Sequence, residues 1–415
     1  MVDKEFLIEW MIERSYLNPQ DIFYSTSYGF NLTPFQFRNF LNDRDLIIEK
    51  GKDSRFVSLS LVSFNNQPLF YSRCEDLKDY LSSLASLIEE DLTDHGDLVT
   101  SRFSNDVLKS RIYSEVEGTL SIEAVQTTRK RVSDLASGKL KPKYENDFII
   151  RNMLDGVHFV MEKPEFNREN LHHLYLLLSN EQLEKDYLLH PGELYRYDDV
   201  EVDGFQGCPY QRIEECMDSL FRYVNQTLRS GTAAEKFLLP HIAHYYLVYI
   251  HPYFDYNGRT ARMVSLWLSL LAQIKQPLII SEAIDQTKGD YYRALRDTRY
   301  CHNDLTYFLL YLFSVSIDYY LCYKNIEIIE QRLKDDGIIL TENERAYLKR
   351  ILICAKGSFI YSDFLKWNKS DMSKQGAFKI LNAFESYGVL KAREGKGKTK
   401  IFSVNPEFAP YKRKV

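Results

Sequence analysis

The sequence predicts a mainly α protein: a helical core interrupted by one β-hairpin, followed by a C-terminal module of three helices and a second hairpin. Two observations carry most of that prediction. Apolar and aromatic residues fill Phe237 to Ile250 and recur at helical spacing from Thr260 to Gln273, with a polar loop between the two runs. From Thr341 onward, helix-opening residues and turn residues alternate, and the stretch ends in a basic hairpin.

With 415 residues and a formal net charge of −5, the chain is long enough for two or three domains. Mild acidity argues against a protein coated in nucleic acid but leaves room for a local basic region. The opening Met1-Val2-Asp3-Lys4-Glu5 has no apolar stretch behind a basic one. The longest apolar run, near Met263 to Leu271, is too short to span a bilayer. A cytoplasmic protein without a membrane partner is expected. Cys74, Cys208, Cys216, Cys301, Cys322 and Cys354 form no CxxC pair, so free, mostly buried thiols are expected rather than disulfides or zinc.

Taken in order, residues 1–94 mix helix and strand signals into an α/β extension without obvious chemistry. Thr33-Pro34 is a good cap and first-turn pair for a helix through Leu41, Phe56 to Phe64 alternates partly like a strand, and Glu75 to Leu92 is helical. A main domain is expected over 95–333. Its helices fall at Glu145 to Glu162, Asn167 to Leu178 and Gln211 to Leu228, and an apolar helical run covers Leu305 to Tyr320. Between the second and third, residues 193–208 read as a hairpin: Val200 and Val202 alternate with acids, and Asp203-Gly204 marks the turn.

The chemistry concentrates in His251-Pro252-Tyr253-Phe254-Asp255-Tyr256-Asn257-Gly258-Arg259-Thr260-Ala261-Arg262. Pro252 and Asn257-Gly258 stop the preceding helix, so the chain turns before a new helix begins. Free N–H groups and the positive dipole end of that new helix make an anion site. Arg259 and Arg262, three apart, add two planar forks on one helical face. His251 at the other lip is placed to take a proton from a hydroxyl, and Asp255 is a lone carboxylate of the kind that holds Mg²⁺ beside phosphates. Together these roles fit transfer from a nucleotide to a hydroxyl. His241 and His244, three apart on one helix, form with His251 a competing metal-ligand set, but no acid has the H-E-x-x-H placement. His244 is expected to brace the core, and His241 to be an ordinary polar position.

The twelve residues resemble the signature of the Fic family, HPFx(D/E)GNGRxxR. The resemblance implies transfer of AMP from ATP to a Ser, Thr or Tyr hydroxyl of a protein. His251 would then be the base and Asp255 the Mg²⁺ ligand, with Asn257, Gly258, Arg259 and Arg262 on the phosphates. Tyr253 in place of Phe keeps an anchoring ring. Tyr256 stands where the family has glycine, bringing bulk and a residue that tolerates positive φ poorly. The family's inhibitory helix, (S/T)xxxE(G/N), is sought in residues 110–123. Glu117-Gly118 gives the preferred ending and pairs Glu117 with Arg262, although Tyr113 occupies the Ser/Thr position. A second frame, Thr119 to Glu123, supplies the Thr but is followed by Ala124. The resemblance also makes the 193–208 hairpin a flap that aligns the target by main-chain pairing. It places Tyr291 or Tyr292 near an adenine.

The tail, 334–415, opens with Thr341-Glu342-Asn343-Glu344, continues with helices at Tyr361 to Trp367 and Ser373 to Tyr387, and closes in a hairpin from Gly388 to Ser403. This resembles a winged helix-turn-helix. Lys374, Lys379, Lys396 and Lys398, with Lys391, Arg393 and Lys400, offer a phosphate-facing edge. The alternative function is therefore a nucleotide-sensing, DNA-binding transcriptional regulator with weak or no transferase activity. DNA through this module and a second copy of the chain, as a homodimer, are the further partners this reading admits.

Overall fold

The computed structural model describes residues 56–95, 106–202, 204–274, 280–301, 303–355, 357–368, 372–395 and 399–411. The expected helix at 33–41, Asp203 of the hairpin turn, and Lys396 and Lys398 lie outside the described residues. The chain divides into two compact units, Met1–Phe313 and Ser314–Val415.

The first unit begins with β1 (Phe56–Leu59) and β2 (Leu69–Ser72), an antiparallel pair in the register Phe56↔Ser72 to Leu59↔Leu69. The expected strand through Phe64 ends at Leu59, where the chain turns onto the helical core instead. Val62 N–H donates to Ser219 Oγ at 3.0 Å, the Tyr246 hydroxyl donates to the Val62 carbonyl at 2.6 Å, and Leu305 N–H donates to the Phe70 carbonyl at 2.8 Å. These bonds tie the described part of the expected 1–94 extension to the core.

Helices follow: α1 (Glu75–His95), α2 (Asp106–Ile122), α3 (Arg129–Ala136), α4 (Glu145–Met161), α5 (Arg168–Ser179), α6 (Ile213–Ser230), α7 (Ala233–Ile250), α8 (Asn257–Leu271), α9 (Ser281–Gln286), α10 (Lys288–Tyr300) and α11 (Thr306–Asp335). Asn167 caps α5 by accepting from Asn170 N–H, and Thr232 with Glu235 forms a capping box on α7. α7 and α8 form the centre of the unit. α7 is buried on almost every side, including Pro240, and its sequence is correspondingly apolar all round rather than striped. On α8, Trp267 is fully buried edge-on to Phe159 and Phe166 and donates to the Pro164 carbonyl. His241 is buried between Phe237 and Phe313, so it is not the ordinary polar position expected. His244 bonds the Tyr291 hydroxyl through Nε2 at 2.9 Å, deep in the core.

The second unit contains α12 (Glu342–Cys354), β5 (Phe359–Ile360), α13 (Tyr361–Trp367), α14 (Lys374–Ser386), β6 (Leu390–Glu394) and β7 (Lys400–Val404). Its antiparallel sheet has the order β5-β7-β6. Thr341 with Glu344 boxes the start of α12, and Ser373 caps α14. Phe359, Phe364, Leu381, Phe384, Val389 and Phe402 form the core together with Ile329 and Leu333. Those last two residues belong to the C-terminal half of α11, which is why this unit begins before the expected 334.

Candidate active site

α7 stops at His251, which takes a left-handed conformation (φ 55°) as the helix cap. The loop that follows is held from inside. Tyr253 is fully buried and stacks on Tyr175 with ring centroids 3.7 Å apart, so its ring is the expected anchor. Asn257 Oδ1 accepts from Tyr253 N–H at 3.0 Å, and its Nδ2 donates to the Tyr253 carbonyl at 2.8 Å. Its side chain is thus spent on closing the loop, so Asn257 shapes the loop rather than presenting its amide to a ligand as expected.

His251 is fixed from the side of the hairpin segment. Arg196, almost wholly buried, donates Nε to the His251 carbonyl at 2.8 Å, and its own N–H reaches the Pro252 carbonyl at 2.9 Å. Its remaining guanidinium nitrogens bond the carbonyls of Asp198 and Cys208. One side chain therefore joins both ends of the hairpin segment to the loop. The hairpin itself is short, β3 (Glu201–Val202) against β4 (Phe205–Gln206), with Gly204 at φ 77°. Arg299 lies over the Phe205 ring at 4.6 Å and bonds the Gln206 carbonyl. Burial pushes the His251 pKa down to about 4, with Arg196 next in effect. The imidazole is therefore neutral at pH 7.

Asp255 Oδ1 accepts Tyr256 N–H at 2.6 Å. Tyr256 is in the left-handed region (φ 64°), and Arg259 stacks over its ring at 3.5 Å. Gly258 is needed for proximity: a Cβ there would lie 2.7 Å from Glu123 Oε1 and 3.2 Å from Arg262 Nη1.

Arg262 is bonded to the C-terminal end of α2. Its Nη2 donates to Glu123 Oε1 at 2.5 Å, and its Nε donates to Thr119 Oγ1 at 2.6 Å. The expected pairing with Glu117 is thereby overturned in favour of the Thr119–Glu123 frame. Glu117 lies six residues earlier, about 9 Å along the helix axis and about two-thirds of a turn round it. Gly118 does not end α2. A Cβ on it would lie 2.5 Å from Glu282 N, so this glycine lets the α9 backbone approach α2. The end comes at Ala124, which is left-handed (φ 61°): Ala124 N–H bonds the Ser121 carbonyl, and Val125 N–H bonds the Leu120 carbonyl at 2.9 Å. This is a Schellman closure with alanine in the position that usually holds Gly or Asn. Further contacts lock α2 to its neighbours: buried Glu115 accepts from Ser281 N–H at 2.9 Å, Ser121 donates to Asp285 at 2.7 Å, and Lys288 bonds the Ile122 carbonyl.

Burial works to raise the Glu123 carboxyl, but Arg262, aided by Arg259 and Lys288, holds it below the ordinary range. Burial likewise opposes the charge on Arg262, and Glu123 reverses that, leaving its pKa raised. Both groups are charged across the neutral range. Tyr291 is buried against His244 and Phe308, facing the core.

With that geometry in place, residues 165–269 match the Fic/DOC family. These residues form a Fic/DOC domain. The Fic domain takes in α5, the hairpin, α6, α7, the loop and α8, whereas α2 with Glu123 lies outside the matched segment. Similar solved structures include a Fic family protein from Desulfovibrio desulfuricans G20, at 17% identity and a TM-score of 0.49 over 81% of this chain and 97% of that one. Residues 134–508 of Fic-1 from C. elegans give 18% identity and 0.42 over 60% and 71%. A Fic-domain-containing signaling protein from Bacteroides thetaiotaomicron VPI-5482 gives 18% identity and 0.43 over 60% and 95%. No curated protein matches the chain.

The sequence alone does not single out Arg196, the pairing of Thr119 and Glu123 with Arg262, or the Tyr256–Arg259 stack. Arg196 works entirely through backbone carbonyls, which leave no residue pattern. Thr119 and Glu123 do fit a spacing, but Ala124 disguises it. The Tyr256–Arg259 stack is visible only as a departure from the glycine expected there.

Proposed function

We propose that this chain is a protein adenylyltransferase that transfers AMP from ATP to a Ser, Thr or Tyr hydroxyl of a protein and is held off by Glu123. The observation that carries the proposal is the Arg262–Glu123 ion pair at 2.5 Å over a loop that also presents His251. A guanidinium placed to receive a phosphate is already occupied by a carboxylate from another helix, as expected of a brake on an anion site.

In the proposed reaction the target hydroxyl oxygen attacks the α-phosphorus of ATP as neutral His251 takes its proton. The bond from that phosphorus to the oxygen bridging it to the β-phosphate breaks, and pyrophosphate leaves. Arg196 keeps the His251 backbone fixed, and the N-terminus of α8 with Arg259 receives the phosphate charge. Asp255 supplies one carboxylate, and no group of three or more His, Cys, Asp or Glu side chains among the described residues forms a full metal cage. That donor set fits Mg²⁺, which keeps several waters and binds through one or two carboxylates plus substrate phosphates. Mg²⁺ held there would neutralise charge on the phosphate chain. The β3–β4 hairpin next to His251 is the natural place for the target main chain to pair.

The test is labelling of the purified protein with α- and γ-labelled ATP in Mg²⁺, for wild type, Glu123→Gly and His251→Ala. Transfer of the α-label only, raised in the first variant and lost in the second, is the expected result. Labelling from the γ-phosphate would instead indicate kinase chemistry.

In the second unit, the three helices and the β6–β7 hairpin support a winged-helix reading. Lys374 and Lys379 are exposed on α14, and Lys391 and Arg393 are exposed on β6. On that basis we propose DNA as a further partner. A duplex shift that weakens steeply with salt is the expected outcome, and its absence at low salt would remove this reading.

A further inference from the structure

We infer that Tyr256 is a positioning residue for Arg259: its phenol ring is a built-in platform that holds the guanidinium at the start of α8 before any nucleotide arrives. The inference rests on the adenylyltransferase reading of the site and asks how that site binds its phosphates.

Four observations carry it. The Arg259 guanidinium lies 3.5 Å from the centroid of the Tyr256 ring, a close cation–π stack. Both residues are shielded from water, at 3% exposure for Tyr256 and 8% for Arg259, so the stack is not weakened by bulk solvent. Tyr256 also occupies left-handed backbone (φ 64°), a conformation that is costly for any residue with a Cβ and free for glycine. A tyrosine here therefore needs something from its side chain to offset the strain. Finally, the two arginines of the loop differ in how they are held. Arg262 is bonded through Nε and Nη2 to Thr119 and Glu123, whereas Arg259 Nε has no hydrogen-bond partner among the described residues. Arg259 is thus fixed by the Tyr256 residue itself, its guanidinium stacked on the ring with the phenol oxygen beside it, whereas Arg262 is fixed by α2. The same residue donates its N–H to Asp255 Oδ1, so one position orients both the cation and the carboxylate of the site.

Because guanidinium orientation matters to the bound phosphate chain in both ground and transition states, losing the platform raises KM more than it lowers kcat. The experiment uses the full chain carrying Glu123→Gly, so that the brake does not mask nucleotide binding. ATP affinity is measured by calorimetry, and KM and kcat by α-label transfer, for Tyr256, Tyr256→Phe, Tyr256→Leu and Tyr256→Gly. Tyr256→Phe keeps the ring and is expected to bind ATP as the parent does. Tyr256→Leu keeps apolar bulk without the π face and is expected to bind roughly 3- to 30-fold more weakly. Tyr256→Gly relieves the backbone but removes a buried ring, and is expected to lose affinity at least as much as the Leu variant. Leu binding as tightly as Tyr, Phe binding as weakly as Leu, or Gly binding more tightly than Tyr would each overturn the inference. Failure of the parent itself to bind ATP would instead remove the adenylyltransferase reading on which it stands.

Discussion

Arg259 and Arg262 sit one turn apart on the same helix, and the sequence assigns them the same task, yet the fold treats them differently. Arg262 is fully committed to α2, an element outside the matched Fic domain, through Thr119 and Glu123. Arg259 is held by its own loop through the ring of Tyr256. One arginine is gated from a distance and the other is set locally. In this reading the first carries regulation and the second carries readiness. Moving α2 would free Arg262 while the Tyr256 ring still holds Arg259.

The comparison can be broken most forcefully at the base beside the two arginines. In a Glu123→Gly background, His251→Ala is expected to cut α-label transfer by roughly 10²- to 10⁴-fold, with ATP binding by calorimetry retained. Next comes stability. Arg262→Ala strands a partly shielded Glu123 carboxylate and is expected to cost about 2–3 kcal/mol in a urea titration, below the range for a fully buried pair because Glu123 keeps some contact with water. Arg259→Ala is expected to cost about 1 kcal/mol in the same urea titration, since only a stack is lost. Equal costs would mean that the two arginines are held alike. Arg196→Ala is expected to lower transfer at unchanged ATP affinity, because it loosens the His251 backbone and the hairpin without touching either arginine.

Acid provides a graded test. The folded pKa of His251 is depressed to about 4 from 6.5, so the unfolded chain binds the extra proton between those values. The associated stability is complete above about pH 6.5 and is lost as pH falls toward 4, on the order of 2 kcal/mol by pH 5. His251→Gln should flatten part of that slope in Tm. The Arg262–Glu123 pair behaves in the same sense but lower down. Glu123 is depressed below its ordinary 4.5, so its contribution is present above that value and fades only in stronger acid. The brake should therefore stay on between pH 6 and pH 8. Thr119→Val removes one hydrogen bond to the Arg262 guanidinium and is expected to cost about 1.5 kcal/mol, the low end for a bond to a charged group.

Most of the helical layout was legible, because capping residues and apolar periodicity are local. Asn167, Thr232, Thr341 and Ser373 each cap the helix they precede. The loop 251–262 was legible because its chemistry is packed into consecutive residues. What escaped was what depends on three-dimensional approach. Gly118 has the look of a helix end but serves the close packing of α9, and Ala124 takes a backbone conformation that its type does not announce. A reading that equates left-handed caps with Gly or Asn thus selects Glu117, not the glutamate that pairs with Arg262. Arg196 escaped for a related reason: its partners are main-chain carbonyls, which every residue owns. The unit boundary inside α11 was hidden because an uninterrupted helix carries no composition break at Phe313.

The most direct test of the gating claim is α-label transfer by three full-length proteins under identical Mg²⁺ and ATP: wild type, Glu123→Gly and Glu117→Gly. The structure predicts at least a roughly tenfold rise for Glu123→Gly, the rate expected when a competing carboxylate costing 1.4 kcal/mol or more is removed, and wild-type transfer for Glu117→Gly. A rise in the Glu117 variant with none in the Glu123 variant would contradict the account, because it would place the brake on the residue that Arg262 does not touch.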